Sequence, residues 1–197
     1  MVRESYPWKR DLKRRKLVIQ KHNTAEYFER DKDATYTVIE KAIFYSAFII
    51  RKLVDCGGKL SDEADKYKIH VKSIKPLRRV DSLHRWPEED SHDWDNEKSQ
   101  TVAGKNICNW LIHSYLFFAE YQENGPMHSF FVSSDYDRNK MLYKVSIDDW
   151  MGYIDFIASD EIVSLVSRYD ISIDDFSYTR KERGHTKINR SKLITSG

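Results

Sequence analysis

The stretch Gly104-Lys105-Asn106-Ile107-Cys108-Asn109-Trp110-Leu111-Ile112-His113-Ser114-Tyr115 decides how the rest of the chain is read. At a helical period Asn106, Asn109 and His113 fall on one stripe. Ile107, Trp110, Leu111 and Ile112 give most of the remaining circumference an apolar surface. A helix apolar on nearly all sides belongs inside a domain, where its amides and imidazole need partners or a cavity. The spacing predicts a central helix from near Gln100–Val102 to about Tyr115, with His113 mostly buried and hydrogen-bonded near Asn109 or Asn106.

Upstream, Ile39, Ala42, Ile43, Ser46, Ala47, Ile50, Leu53 and Val54 recur at helical spacing and predict a helix from Ala34 to Cys56. Gly57-Gly58 ends it with left-handed backbone, and Arg51 and Lys52 suit its carboxyl-end dipole. Pro7 opens an earlier charged helix from Trp8 to about Arg30, with a restart or kink at Thr24. Tyr67, Ile69 and Val71 alternate with Lys68, His70 and Lys72, the period of a half-buried strand. Ser73 to Lys98 is polar, holds Pro76 and Pro87, and reads as a long loop of the kind that is usually mobile or functional.

Downstream, Leu116 to Tyr121 reads as a strand. Phe130–Val132 and Met141–Val145 read as a hairpin around Asp135–Asn139. Ser146 caps a last helix through Ile157, which Asp160 continues to about Arg168. Everything after Asp174 is polar and basic and reads as an extended arm. Helical stripes must bury themselves against one another, so the expected fold class is α+β: a helical bundle of about four helices with a small antiparallel β-meander. Its core is expected to pack Ile43, Phe44, Ala47, Ile50 and Leu53 against Ile107, Trp110, Leu111 and the helix of Trp150, Ile154 and Ile157. The expected organisation is a basic N-terminal helix (1–30), a helical-bundle core with inserted strands (31–173) and a basic C-terminal arm (174–197).

Composition narrows the class of protein. A chain of 197 residues with seven glycines and four prolines suits one domain with long helices. The longest apolar run, Ala42 to Val54, is too short for a bilayer and contains Arg51 and Lys52, so no membrane partner is expected. The N-terminus has no apolar signal core, so the expected location is the cytoplasm. Cys56 and Cys108 form neither a metal spacing nor a disulfide framework, in keeping with a reducing compartment.

Charge is unevenly distributed. Residues 1–22 carry a net +6 and residues 177–197 a net +5, which leaves −9 for the rest of a chain whose total is +2. Basic ends on an acidic body are a footprint of contact with RNA or another polyanion, and nominate Arg14, Arg15, Lys16, Arg180, Lys181 and Arg183 as phosphate contacts. With few neighbouring aromatics, Trp8 and Tyr178 among them, these ends suit phosphate contact rather than base stacking. The same charges also read as solvated tails, or as tails docked on an acidic body, their own or that of a second copy.

For chemistry, an imidazole such as that of His113 can act as acid or base in phosphodiester cleavage, with Asn109 one turn earlier to set its tautomer. The same stripe equally reads as a satisfied polar network between buried helices. Cys108-Asn109-Trp110-Leu111-Ile112-His113 resembles the motif of the HEPN superfamily of helical-bundle proteins. In that family an Arg, often followed by Asn, precedes a His on a late helix. The resemblance implies a metal-independent ribonuclease whose motifs meet across a homodimer, with His113 and Asn109 as catalytic residues. Cys108 stands where the motif Arg would be, and a neutral thiol cannot stabilise phosphate charge. The expected function is therefore a catalytically silent HEPN-like module binding RNA or a protein partner. The alternatives are a toxin- or defence-type endoribonuclease using His113, and a structural oligomeric protein.

No cofactor and no metal are expected. The acidic, histidine-bearing run from His84 to Asp95 reads as a solvated loop ahead of a divalent-metal site, with Trp86 and Trp94 as possible partner anchors. There is no glycine-rich phosphate loop, no paired-cysteine zinc spacing and no nucleophile elbow.

Overall fold

Asp31 accepts a hydrogen bond from the Ala34 amide and starts α3 (Lys32–Asp55) in the computed structural model, which describes residues 2–84, 86–123, 125–172 and 175–184. The inward stripe Ile39, Ile43, Ala47, Ile50 and Leu53 is wholly buried, as its spacing predicts. Gly58 follows at φ +74°, a left-handed turn that a side chain would strain. The predicted break in the N-terminal helix is also present, between α1 (Ser5–His22) and α2 (Ala25–Arg30). There the Asn23 side chain donates to the Met127 carbonyl at 2.8 Å and accepts from the Met127 amide at 2.7 Å.

Five strands form one antiparallel sheet: β1 (Lys68–Ile74), β2 (Lys98–Ala103), β3 (Ser114–Tyr121), β4 (Met127–Ser134) and β5 (Leu142–Ser146), in the order β2-β1-β5-β4-β3. The short helix α4 (Asp62–Asp65) precedes β1, and a long loop joins β1 to β2. Helices α5 (Gly104–Ile112) and α6 (Ile147–Ala158) lie against the sheet, α3 packs on α5, and α1 packs on α3 and α6. A separate hairpin, β6 (Ile162–Asp170) with β7 (Asp175–Arg183), completes the described chain. This arrangement overturns the expected four-helix bundle. Among the described residues six helices accompany a five-stranded sheet that is a principal layer of the molecule, not a small meander.

Each departure has a local cause. The edge strand β2, Lys98-Ser99-Gln100-Thr101-Val102-Ala103, is mostly exposed and lacks the apolar alternation that would reveal it. The central helix therefore begins at Gly104, not at 100–102. A Cβ at Gly104 would collide with the Tyr153 ring, so glycine lets this strand–helix junction close against α6. In β6, Ile162, Val163, Leu165, Val166 and Tyr169 satisfy a helical period as well as a strand, and the pairing with β7 decides between them. The Tyr178 ring of β7 packs over Gly57 and Gly58. Residues 175–183 are thus paired rather than a free-standing arm, and residues 174 and 185–197 lie outside the described residues.

Alternation along β4 sends Phe130 and Val132 into the helical core and Phe131 into a second apolar cluster with Ile74, Val80, Leu116 and Leu142. Val80 belongs to the long loop between β1 and β2. An antiparallel bridge from Pro76 to His92 ties that loop together. His92 is buried and packs on Trp94, and its Nδ1 lies 2.9 Å from Ser91 Oγ. Burial, reinforced by the Arg78 charge, lowers the His92 pKa from 6.5 to about 4. The unfolded chain takes up a proton below pH 6.5 that the folded chain refuses until about 4, so stability falls as the pH drops through this window. After allowance for screening at a loop, we expect a loss of roughly 2 kcal/mol, read from urea midpoints between those pH values and abolished in His92→Gln. An unchanged pH profile in that variant would show that other groups set the acid limit.

Candidate nucleic-acid interface

α1 is anchored through Leu12 and Ile19, which are fully buried. At 3.6 residues per turn, Arg10, Lys13, Arg14, Leu17 and Lys21 then share the outward face, with Tyr6 at its start, and all six are exposed. No acidic residue interrupts this stripe. Its four cations have no carboxylate partner among the described residues, and the Arg10 guanidinium sits 5.9 Å from the centre of the Tyr6 ring.

A cavity flanks the stripe on each side. The first is a groove of about 460 Å³ between α1 and α3, lined by Pro7, Trp8, Asp11, Arg15, Tyr45 and Phe48. Tyr45 and Phe48 are 54% and 47% exposed, and the exposed Lys41 and Lys52 bracket them along the outer face of α3. The Arg15 guanidinium lies 5.4 Å from the Tyr45 ring centre, and Lys52 Nζ lies 5.6 Å from that of Phe48. Arg15 also pairs with Asp11 at 3.0 Å, yet its Nε has no hydrogen-bond partner.

The second cavity, about 630 Å³, lies between the first turns of α1 and the α6–β6 junction. Lys9, Arg10, Lys13 and Lys59 line it, opposed by Asp160 and Glu161. Lys9 is nearly buried and donates to the Asp160 carbonyl; burial lowers its pKa, against the pull of the Asp160 and Glu161 carboxylates. The Asp160 carboxylate accepts from the Ser61 amide at 2.8 Å and the Ser61 hydroxyl at 2.6 Å, with Arg183 Nε 3.5 Å away. The base of this cavity is therefore internally neutralised.

The nominated phosphate contacts are dispersed by the fold. Arg14 stands on the exposed stripe and Arg15 beside it in the groove. Lys16 pairs with Asp155, and Arg180 pairs with Glu182 on the surface. Lys181 reaches Asp65 at 2.5 Å and Asp62 at 3.7 Å, and Arg183 lies over the Phe156 ring beside Asp160. Part of the basic C-terminal segment is thus docked on the acidic body of its own chain.

His113 does not occupy the buried position its stripe predicts. α5 ends at Ile112, and His113 is its exposed C-cap, immediately before β3. The helix buries Ile107, Cys108 and Leu111 against α3 and the sheet, and Trp110 stacks on Tyr143 at 3.6 Å, so the opposite side faces water. Asn106 is exposed and Asn109 half-buried on that side. The His113 imidazole makes no hydrogen bond among the described residues. Cys108 is sealed in the core, and burial pushes its thiol far above the usual range. Arg51 pairs with Asp55. Among the described residues no three His, Cys, Asp or Glu side chains are placed to share a metal ion. No helix there is long and apolar enough to cross a membrane.

No protein-family model matches the chain, and no curated protein or solved structure matches it either.

Tyr45 and Phe48 are the site residues that sequence reasoning missed. Their signal was nevertheless present: Lys41, Tyr45, Phe48 and Lys52 recur at four, three and four residues, out of phase with the core stripe of the same helix.

Proposed function

We propose that the protein is a nucleic-acid-binding module that holds phosphates on the outer face of α1 and does not cleave them. The observation that carries this reading is the uninterrupted stripe of Arg10, Lys13, Arg14 and Lys21, exposed and without carboxylate partners among the described residues. Cations spaced along one helix face suit a linear polyanion, because each phosphate they neutralise releases counterion. The silent reading is supported by the His113 imidazole, which is exposed and makes no hydrogen bond among the described residues, and by the buried Cys108 thiol, which stands where the motif cation would be.

Four phosphate contacts predict a slope of about −3 in log affinity against log salt for a single strand, or a roughly 50-fold loss from about 50 to about 200 mM. Replacing Arg10, Lys13, Arg14 and Lys21 by Ala is expected to flatten that slope towards zero in an anisotropy titration. His113→Ala is expected to leave binding intact. A salt slope unchanged by the four substitutions would move the interface elsewhere, and metal-independent RNA cleavage lost in His113→Ala would establish the ribonuclease alternative.

A further inference from the structure

We infer that the groove between α1 and α3 receives unpaired nucleobases, so that the protein selects single-stranded over duplex nucleic acid; this rests on the phosphate-binding reading of α1. The two surfaces share an edge, because Arg14 on the stripe and Arg15 in the groove are consecutive residues. A strand with its phosphates along the stripe therefore passes its bases beside Trp8, Tyr45 and Phe48. Tyr45 and Phe48 are held on the outer face of a helix whose inner face is wholly buried, so their exposure belongs to the folded surface. Lys41 and Lys52 bracket these rings along about 16 Å of helix.

Charge decides the occupant. An apolar peptide would meet Lys41 and Lys52 beside the exposed rings, whereas a nucleotide presents a flat π face to the rings and anionic oxygens to those lysines. Within the groove Arg15 is already paired with Asp11. Paired bases inside a duplex cannot offer their faces, so stacking discriminates strandedness without reading sequence.

The test compares the full chain with a Tyr45→Ala, Phe48→Ala double variant against three probes at low salt. The probes are an oligouridine of about twelve nucleotides, an RNA duplex of the same length, and heparin as a polyanion without bases. The double variant is expected to bind oligouridine roughly 10- to 100-fold more weakly while its heparin affinity stays within about twofold. An unchanged urea midpoint of the double variant reports an intact fold. Tyr45→Phe with Phe48→Tyr keeps both rings and is expected to keep oligouridine affinity. An equal loss on heparin, no loss on oligouridine, or a wild-type preference for duplex would overturn base stacking and leave the phosphate stripe standing. Wild-type protein that binds none of the three probes overturns both readings together.

Discussion

Asp160→Ala is expected to destabilise the protein by about 3–5 kcal/mol, the usual cost of removing one member of a buried charged cluster. The carboxylate is fully buried and accepts both the amide and the hydroxyl of Ser61, whose own Oγ caps α4 by accepting from the Ala64 amide at 3.2 Å. Arg183 Nε lies 3.5 Å away on β7, so one side chain joins the end of α6, the start of α4 and the C-terminal hairpin. Its loss leaves a buried amide and a partly buried guanidinium without their anion. Asp160→Asn keeps an oxygen for the Ser61 amide and is expected to cost about half as much. Urea denaturation followed by circular dichroism measures both, and a cost below about 1 kcal/mol for the Ala variant would mean that water replaces the carboxylate.

Trp150→Ala is expected to cost a similar amount, about 3–5 kcal/mol, through the cavity it opens. The indole is completely buried, donates through Nε1 to Ser46 Oγ at 3.2 Å, and meets Phe130 edge-on at a centroid distance of 6.1 Å. It therefore touches α3 and β4 from α6, the point where helical and sheet layers join. Trp150→Phe keeps most of the apolar volume and should cost markedly less. A midpoint in urea that hardly moves for the Ala variant would show that α6 can detach without disturbing the core. Against a total stability of about 5–15 kcal/mol, either Ala substitution is a large fraction.

The elements that were legible in the sequence are those whose side chains carry a single period. α3 repeats its apolar residues at helical spacing over its whole length and ends in Gly57-Gly58, and it appears nearly as predicted. β1 alternates strictly, and Ser146 caps α6 by accepting from the Asp149 amide. Pattern failed where a segment was polar or ambiguous. β2 is an exposed edge whose partner, β1, precedes it by more than twenty residues, and β6 carries a pattern compatible with either period.

The candidate site divides in the same way. The basic character of α1 and the outward aromatic stripe of α3 are properties of single helices, which the order of residues along the chain determines through the 3.6-residue repeat. Their adjacency is not. It depends on the packing of α1 against α3, which places Trp8 and Arg15 opposite Tyr45 and Phe48. The pairing of charges was equally out of reach: Lys181 and Arg183 read as available for phosphate until β7 brings them to Asp65, Asp62 and Asp160, more than twenty residues away in sequence. His113 shows the converse, since its stripe predicted burial and α3 with the sheet took only the opposite face of that helix. Periodicity determined which residues share a face. Only the tertiary structure decided which face met protein and which met water, because burial depends on partners that are distant along the chain.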